Sequence, residues 1–274
     1  MNITVILPAA GRGSRFAADG SAAASKIEFE IDHKPVFLHA IEAFRAVDFV
    51  GQIILAVHPE RVDDFRFRWE DKLRFLQVDL VAGGTAERWE TVKIALDRVE
   101  AAATHVAVHD AARPVVSTKM IGRVFAAAER LPAVVPGLPV SSTLKRVDES
   151  VPLAADTDPL DAILGEAGNP TADARRVIDT VPRDSLVAIQ TPQVFAPELL
   201  RRAYAQDLCG LAPTDDAGLV EALGEAVHVV EGDPGNIKIT HPGDAELATA
   251  LIAHRKQAGA KARAVQDLFG DDED

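Results

Sequence analysis

The chain has 274 residues, 47% of them hydrophobic, and a formal net charge of -13 from 42 acidic and 29 basic side chains. That length and apolar content suit one large α/β domain, or one domain with an appendage, and exclude gross disorder. The acidic balance excludes a general nucleic-acid binder, which carries a basic footprint, but leaves room for a compact basic site for a phosphorylated small molecule. From the amino terminus, short β-branched runs predict strands at Ile3–Leu7, Ile53–Val57, Val78–Val81, Val106–Val108, Ala133–Val135, Leu186–Ile189 and Val227–Val230. Helical stretches lie between them. Trp89, Val92, Leu96, Val99 and Ala103 recur at spacings of three and four, as one apolar helix face requires. Ile121, Val124, Ala128 and Leu131 do the same after Ser117, a fitting N-cap, and Leu247, Ala250, Leu251 and His254 form a last stripe. Alternating βα units with apolar, fully buried strands predict a mostly parallel twisted sheet covered by helices on both faces.

One region breaks the rhythm. Ser142–Val147 and Arg175–Val181 read as extended segments, with an acidic stretch at 148–174 between them. The reading is one domain over residues 1–256, an arm at about 140–183 with a loose inserted tip, and a flexible, acidic-ended tail over 257–274. No apolar run approaches the ~18 residues needed to span a bilayer. The first seven residues lack the basic region of a signal peptide and read directly as a strand, so the expected location is a bacterial-type cytoplasm with no membrane partner. Cys209 is the only cysteine, which excludes an internal disulfide, a Cys-rich zinc site and a CxxC pair.

Two loops carry the chemistry. After the first strand comes Pro8-Ala9-Ala10-Gly11-Arg12-Gly13-Ser14-Arg15. Small residues there let the backbone approach a ligand, and the amides of such a turn form an anion-binding concavity. A dinucleotide fingerprint fails at Phe16, and the P-loop pattern is missing. Arg15 and Lys26 instead put cations beside phosphates, which suits a polyphosphate that undergoes chemistry. After the strand at Val106–Val108 comes His109-Asp110-Ala111-Ala112-Arg113-Pro114. Asp110, at the carboxyl end of a central strand, is placed to hold Mg²⁺ on a triphosphate, although an N-cap or a pair with Arg113 also explains it. His105 and His109 lack an evident third ligand, which disfavours zinc. Gly83-Gly84 with Arg88 and Thr91, the run Gln190–Gln193, Thr214-Asp215-Asp216 and Asn236–Thr240 complete the candidates.

In order, P-A-A-G-x-G-x-R, G-G…R…[ST]-V, V-H-D-A-A-R-P, T-x-K, T-V-x-R, Q-T-P-Q-x-F, T-D-D and N-I-K-I-T run from about Ile3 to Ala253. This series resembles the 2-C-methyl-D-erythritol 4-phosphate cytidylyltransferase family of the non-mevalonate isoprenoid pathway. The resemblance implies a Rossmann-like nucleotidyltransferase domain, a projecting β-arm that clasps a second subunit in a homodimer, and CTP with Mg²⁺ or another divalent cation. Pro8, Ala9, Ala10, Gly11, Gly13 and Ala111 would line the nucleotide, and Arg15 and Lys26 would act on the triphosphate as the catalytic cations. Gly84, Arg88 and Thr91 would read the cytosine end and hold the loop. Asp110 and Arg113 would serve the metal and ribose region, and Arg113, Thr143, Arg183, Thr214 and Lys238 would bind the sugar-alcohol phosphate substrate. Arg183 would come from the partner's arm.

The implied reaction is in-line attack by a phosphomonoester oxygen on the α-phosphorus of CTP, expelling pyrophosphate. The attacking group has a second pKa near ~6 and is already largely dianionic at neutral pH, so no general base is needed. Charge neutralisation between two repelling phosphates is needed, and fixed cations supply it. The sequence departs from the family pattern in places. Ser25 stands where Pro is usual before Lys26, the loop Phe16–Ser25 is long, the stretch from Gly84 to Arg88 has an extra residue with Thr85, and Pro182 varies T-V-x-R. A ribitol 5-phosphate cytidylyltransferase is the alternative reading. A non-catalytic nucleotide-binding regulator fits less well, since it would not need both triphosphate cations.

Overall fold

A computed structural model describes residues 1–11, 26–148, 151–152, 173–211 and 213–269. Arg15, Gly13 and most of the 148–174 tip lie outside the described residues. In chain order the elements are β1 (Ile3–Ala9), β2 (Glu30–Ile31), β3 (Lys34–Pro35), α1 (Val36–Arg45), β4 (Val50–Val57), α2 (Val62–Phe75) and β5 (Val78–Ala82). There follow α3 (Arg88–Leu96), β6 (His105–Val108), α4 (Thr118–Ala128), β7 (Ala133–Pro139), β8 (Leu144–Val147), β9 (Val151–Pro152), β10 (Asp173–Ala174) and β11 (Val177–Val181). The chain closes with β12 (Val187–Ile189), β13 (Gln193–Phe195), α5 (Pro197–Tyr204), α6 (Leu208–Leu211), α7 (Asp216–Ala222), β14 (His228–Glu231) and α8 (Pro242–Phe269). Two compact units result, Met1–Leu138 with Ile189–Asp274, and Pro139–Ala188.

The first unit is built on a sheet in which β7, β13, β6, β1, β4 and β5 lie side by side in that order. The pairs β1–β4, β1–β6 and β4–β5 are parallel, and β13 runs antiparallel to both β6 and β7. β14 runs parallel to β7. Strand periodicity then sorts the side chains by face. Ile3, Val5 and Leu7 of β1, with Ile53, Leu55 and Val57 of β4, pack with Phe37, Ile41 and Phe44 of α1 and Ile121 and Val124 of α4. Ile6, Ile54, Ala56, Val106 and Val108 take the other face, with Val92 and Leu96 of α3 and Leu199 and Leu200 of α5. Both faces being covered explains why these strands are continuous apolar runs rather than alternating ones.

Two expectations change. The stripe through Val99 and Ala103 does not stay helical, because α3 ends at Leu96. Arg98 and Val99 instead donate to the carbonyls of Ala95 and Leu96 in tight turns, while Val99 remains buried. The segment from Gln257, expected as a frayed tail, continues α8 as far as Phe269, in keeping with its Ala, Lys and Arg content. Ser117 does cap α4, accepting from the Met120 amide at 3.3 Å. Among the described residues no helix is long and apolar enough to cross a membrane.

The second unit contains a two-stranded antiparallel ribbon of β8 and β11, with Leu144 opposite Val181 and Lys145 opposite Thr180. Arg146 pairs with Asp179 across it at 3.4 Å, and Arg176 with Asp148 at 2.9 Å. β9 and β10 form a second short antiparallel pair.

A candidate active site at the carboxyl ends of β1 and β6

From β1 the chain passes through α1 to β4 on one side, and from β5 through α3 to β6 on the other. The strand order therefore reverses between β1 and β6. In an open α/β sheet ligands bind beyond the carboxyl ends of the strands at such a point. A cleft of about 610 Å³ opens there. Pro8, Ala9, Ala10 and Gly11 line it from the end of β1, and Asp110, Ala111 and Ala112 from the end of β6. Of the other expected residues, Lys26, Gly84, Arg88, Thr91 and Lys238 also line it, joined by Ile27, Thr85, Ala86, Glu87 and Thr240, while Arg113 stands behind the lining against Asp110. Among the described residues, a Cβ on Gly11 would meet nothing within 4 Å.

The loop into α3 is held differently. The Gly84 amide donates to Thr91 Oγ1 at 3.1 Å, and a Cβ on Gly84 would come within 2.5 Å of Glu90 Cβ. Glu87 and Glu90 form a reciprocal capping box at the start of the helix. Thr91 therefore fixes the loop, and Gly84 is required by close approach.

Asp110 is the hub. Its side chain is only 10% exposed, with Lys238 Nζ at 3.0 Å, Arg113 Nε at 3.3 Å and Arg88 Nε at 3.4 Å. Burial pushes its carboxyl up, but Arg88, Lys238 and Arg113 outweigh burial and hold it well below the usual carboxylate range. Arg88 in turn makes a bidentate pair with the fully buried Asp216, at 3.1 and 2.7 Å. Burial disfavours that guanidinium, yet Asp216 and then Asp110 raise its pKa above the ordinary arginine value. Tyr204 donates its hydroxyl to Asp216. Burial and the Asp216 charge push the phenol well above its usual range. Among the described residues that line the cleft, the cations Lys26, Arg88 and Lys238 outnumber the carboxylates Asp110 and Glu87.

Behind Asp110 the motifs act as supports. Thr191 Oγ1 accepts from the Asp110 amide at 3.1 Å and contacts His109 Nδ1 at 3.0 Å, while His109 Nε2 reaches the Arg113 carbonyl at 3.3 Å. Complete burial lowers the pKa of His109 to about 4. Gln193 Oε1 accepts from the Asp216 and Ala217 amides at 3.1 and 3.0 Å. Gln190 exchanges two bonds with the Asp233 backbone, at 2.9 and 3.1 Å. The buried Asn236 donates to the Thr191 carbonyl at 2.8 Å, and Ile239 to that of Ala112 at 2.8 Å. These bonds bring Lys238 to Asp110. Arg113 Nη1, at 2.8 Å from the Asn236 carbonyl, ties the two loops together.

The remaining expected residues stand elsewhere. Thr214 is exposed and does not line the cleft; its neighbour Asp215 caps α7, accepting from the Gly218 amide at 3.0 Å. Thr143 and Arg183 belong to the second unit, where both are exposed and Arg183 donates to the Ser141 carbonyl. Sequence reasoning missed the lining by Ile27, Ala86 and Glu87, and missed Asp216 as the partner of Arg88. For Asp216 the T-D-D motif was the available signal. Among the described residues no group of three His, Cys, Asp or Glu side chains could hold a metal ion.

A family model described as 2-C-methyl-D-erythritol 4-phosphate cytidylyltransferase matches residues 3–165 and 166–254. The enzyme of that name from Acidobacterium capsulatum is 38% identical over 263 residues, covering 93% of this chain and 99% of that protein. The one from Bacteroides thetaiotaomicron is 36% identical, covering 92% and 100%. The crystal structure of the Thermus thermophilus enzyme superimposes with a TM-score of 0.67 at 32% identity, covering 92% of this chain and 100% of that one.

Proposed function

The chain belongs to the 2-C-methyl-D-erythritol 4-phosphate cytidylyltransferase family, and from that premise we propose how its residues divide the work. The protein is a cytidylyltransferase that moves the CMP moiety of CTP to 2-C-methyl-D-erythritol 4-phosphate and releases pyrophosphate. The observation that carries the assignment of roles is the cation-rich cleft at the carboxyl ends of β1 and β6. The backbone of Pro8–Gly11, with Ala111, lies against the nucleotide. Lys26 and Arg15 neutralise the triphosphate and the charge that builds at the α-phosphorus. Lys238, oriented by Asp110, and Arg113 draw in the sugar-alcohol phosphate. Arg88 orders Asp110 rather than the base, since its guanidinium is already engaged by Asp216.

A magnesium ion keeps several waters and substrate phosphates and takes only one or two carboxylates from a protein. Asp110 fits such a minor share, as a charged carboxylate in the cleft lining. When bound, Mg²⁺ on the triphosphate would add to the neutralisation of charge on the α-phosphate. The same reading carries a cytoplasmic homodimer, with neither nucleic acid nor membrane as partner. Val147, Val177, Ile178, Leu186 and Val187 of the second unit are all exposed apolar side chains, which supports a protein partner for the arm.

The test is pyrophosphate release with CTP and Mg²⁺, offering methylerythritol 4-phosphate or ribitol 5-phosphate, with UTP, GTP and ATP alongside. Release with CTP and methylerythritol 4-phosphate alone is expected. Preference for ribitol 5-phosphate would keep the cleft and overturn the substrate. Sedimentation at twice the 29.3 kDa chain mass is the expected sign of the dimer.

A further inference from the structure

Lys26 enters the cleft from a segment tied down at the three residues that follow it. Ile27 is buried in the core, and its carbonyl accepts from the Phe37 amide at 3.0 Å. The Phe29 carbonyl accepts from the Val36 amide at 3.0 Å. Those amides open α1, where Pro35 stands at the N-cap without a side-chain cap; the two carbonyls satisfy donors that a helix start leaves unpaired.

Glu28 supplies the third tie. It does not line the cleft, and its side chain is 5% exposed. Arg61 donates to its Oε2, and Arg68 Nη2 stands 2.5 Å from Oε1 as an ion pair without hydrogen-bond geometry. The two guanidinium groups lie 5.4 and 5.9 Å from the centroid of the Phe65 ring. That ring is fully buried against Phe37, at 5.3 Å. A buried carboxylate is tolerated only when such partners offset its desolvation. A carboxylate turned away from the cleft does no chemistry there. Its effect falls on the backbone two residues after Lys26.

We propose that Glu28, held by Arg61 and Arg68 against the Phe65 ring, is a positioning residue that fixes Lys26 in the cleft. The inference rests on Lys26 acting on the triphosphate. Steady-state kinetics with CTP and methylerythritol 4-phosphate on Glu28→Gln, Lys26→Ala and the double variant test it, with Tm measured alongside. Glu28→Gln is expected to lower kcat by between about tenfold and 10²-fold, the scale of a small misplacement of a catalytic group, with a smaller change in KM for CTP. The double variant is expected to be no slower than Lys26→Ala alone. Losses that multiply would overturn the proposal, because Glu28 would then act on something other than Lys26. A crippled Lys26→Ala beside a normal Glu28→Gln overturns the clamp alone. Normal turnover in Lys26→Ala overturns the role of Lys26 and the clamp with it. Should Glu28→Gln fail to fold, Arg68→Gln, at a side chain 39% exposed, carries the same test. It leaves Arg61 in place and should slow kcat in the Lys26 background but not in the Lys26→Ala background; an unchanged kcat overturns the proposal.

Discussion

Asp110 and His109 are neighbours with opposite electrostatic fates. Asp110 keeps its charge through three cations, whereas His109, enclosed by Phe44 at 5.0 Å and by Thr191, stays neutral with a pKa of about 4. For His109 the folded value lies below the unfolded one, so between about 4 and 6.5 only the unfolded chain binds this proton. Stability from this group is complete above pH 6.5 and lost as pH falls through that window, by about 3 kcal/mol in all. His39 and His105 are lowered by burial and act in the same direction. Urea unfolding at pH 6.5 and 4.5 should show the loss, and His109→Gln should flatten the slope. Lys238 poses the converse case, an exposed cation in the cleft lining for which we propose a chemical role. Lys238→Ala is expected to lower kcat by about 10²–10³-fold, as for loss of a preorganised charge, with Tm nearly unchanged. A large fall in Tm with modest loss of turnover would make Lys238 a structural residue. Asp216 lies deeper, and Asp216→Ala leaves Arg88 without its bidentate partner; about 3–5 kcal/mol of stability should go with it, measured by the same unfolding curves.

Among the elements, the loop into α3 shows how packing chooses a residue. An alanine at Gly84 would press on Glu90 Cβ at 2.5 Å and on the Thr91 backbone nitrogen at 3.0 Å. Gly84→Ala should therefore cost about 1–3 kcal/mol, the usual penalty for overpacking, read as a lower urea midpoint. Unchanged stability would mean the loop has slack. The sequence made β1, β4 and β6 legible because strands covered on both faces are unbroken apolar runs. It misled at α3, since Val99 stays buried after the helix has stopped, and periodicity registers burial rather than backbone form. β13 was hidden inside Gln190–Phe195, whose polar side chains read as a ligand motif although they clamp backbone. The cleft was legible wherever a loop follows a strand directly, at Pro8–Gly11 and Asp110–Ala111. The bond from Arg88 to Asp216 spans 128 positions, and no local pattern announces a pairing that long.

For the first unit as a whole, the two tryptophans offer a direct test of cooperativity. Trp69 packs on the face of the sheet that holds α1, and Trp89 on the face that holds α3. One sheet contributes side chains to both clusters, so neither face can open without exposing the other's strands. Trp69→Phe and Trp89→Phe, each leaving a single reporter, should give coincident fluorescence transitions in urea. Separate midpoints would mean that the faces melt independently. The position of β13 between β6 and β7 also has a meaning for how the chain is made. β6 and β7 are made before β13 and are not neighbours in the finished sheet, because the place between them belongs to Gln193–Phe195. Until that late strand is synthesised, two facing edges carry unpaired amides and carbonyls, the feature of a growing chain that most invites aggregation. Lys238 follows later still. The nascent protein is thus without its enzyme site for most of its synthesis, and its need for a chaperone should be greatest before β13 appears.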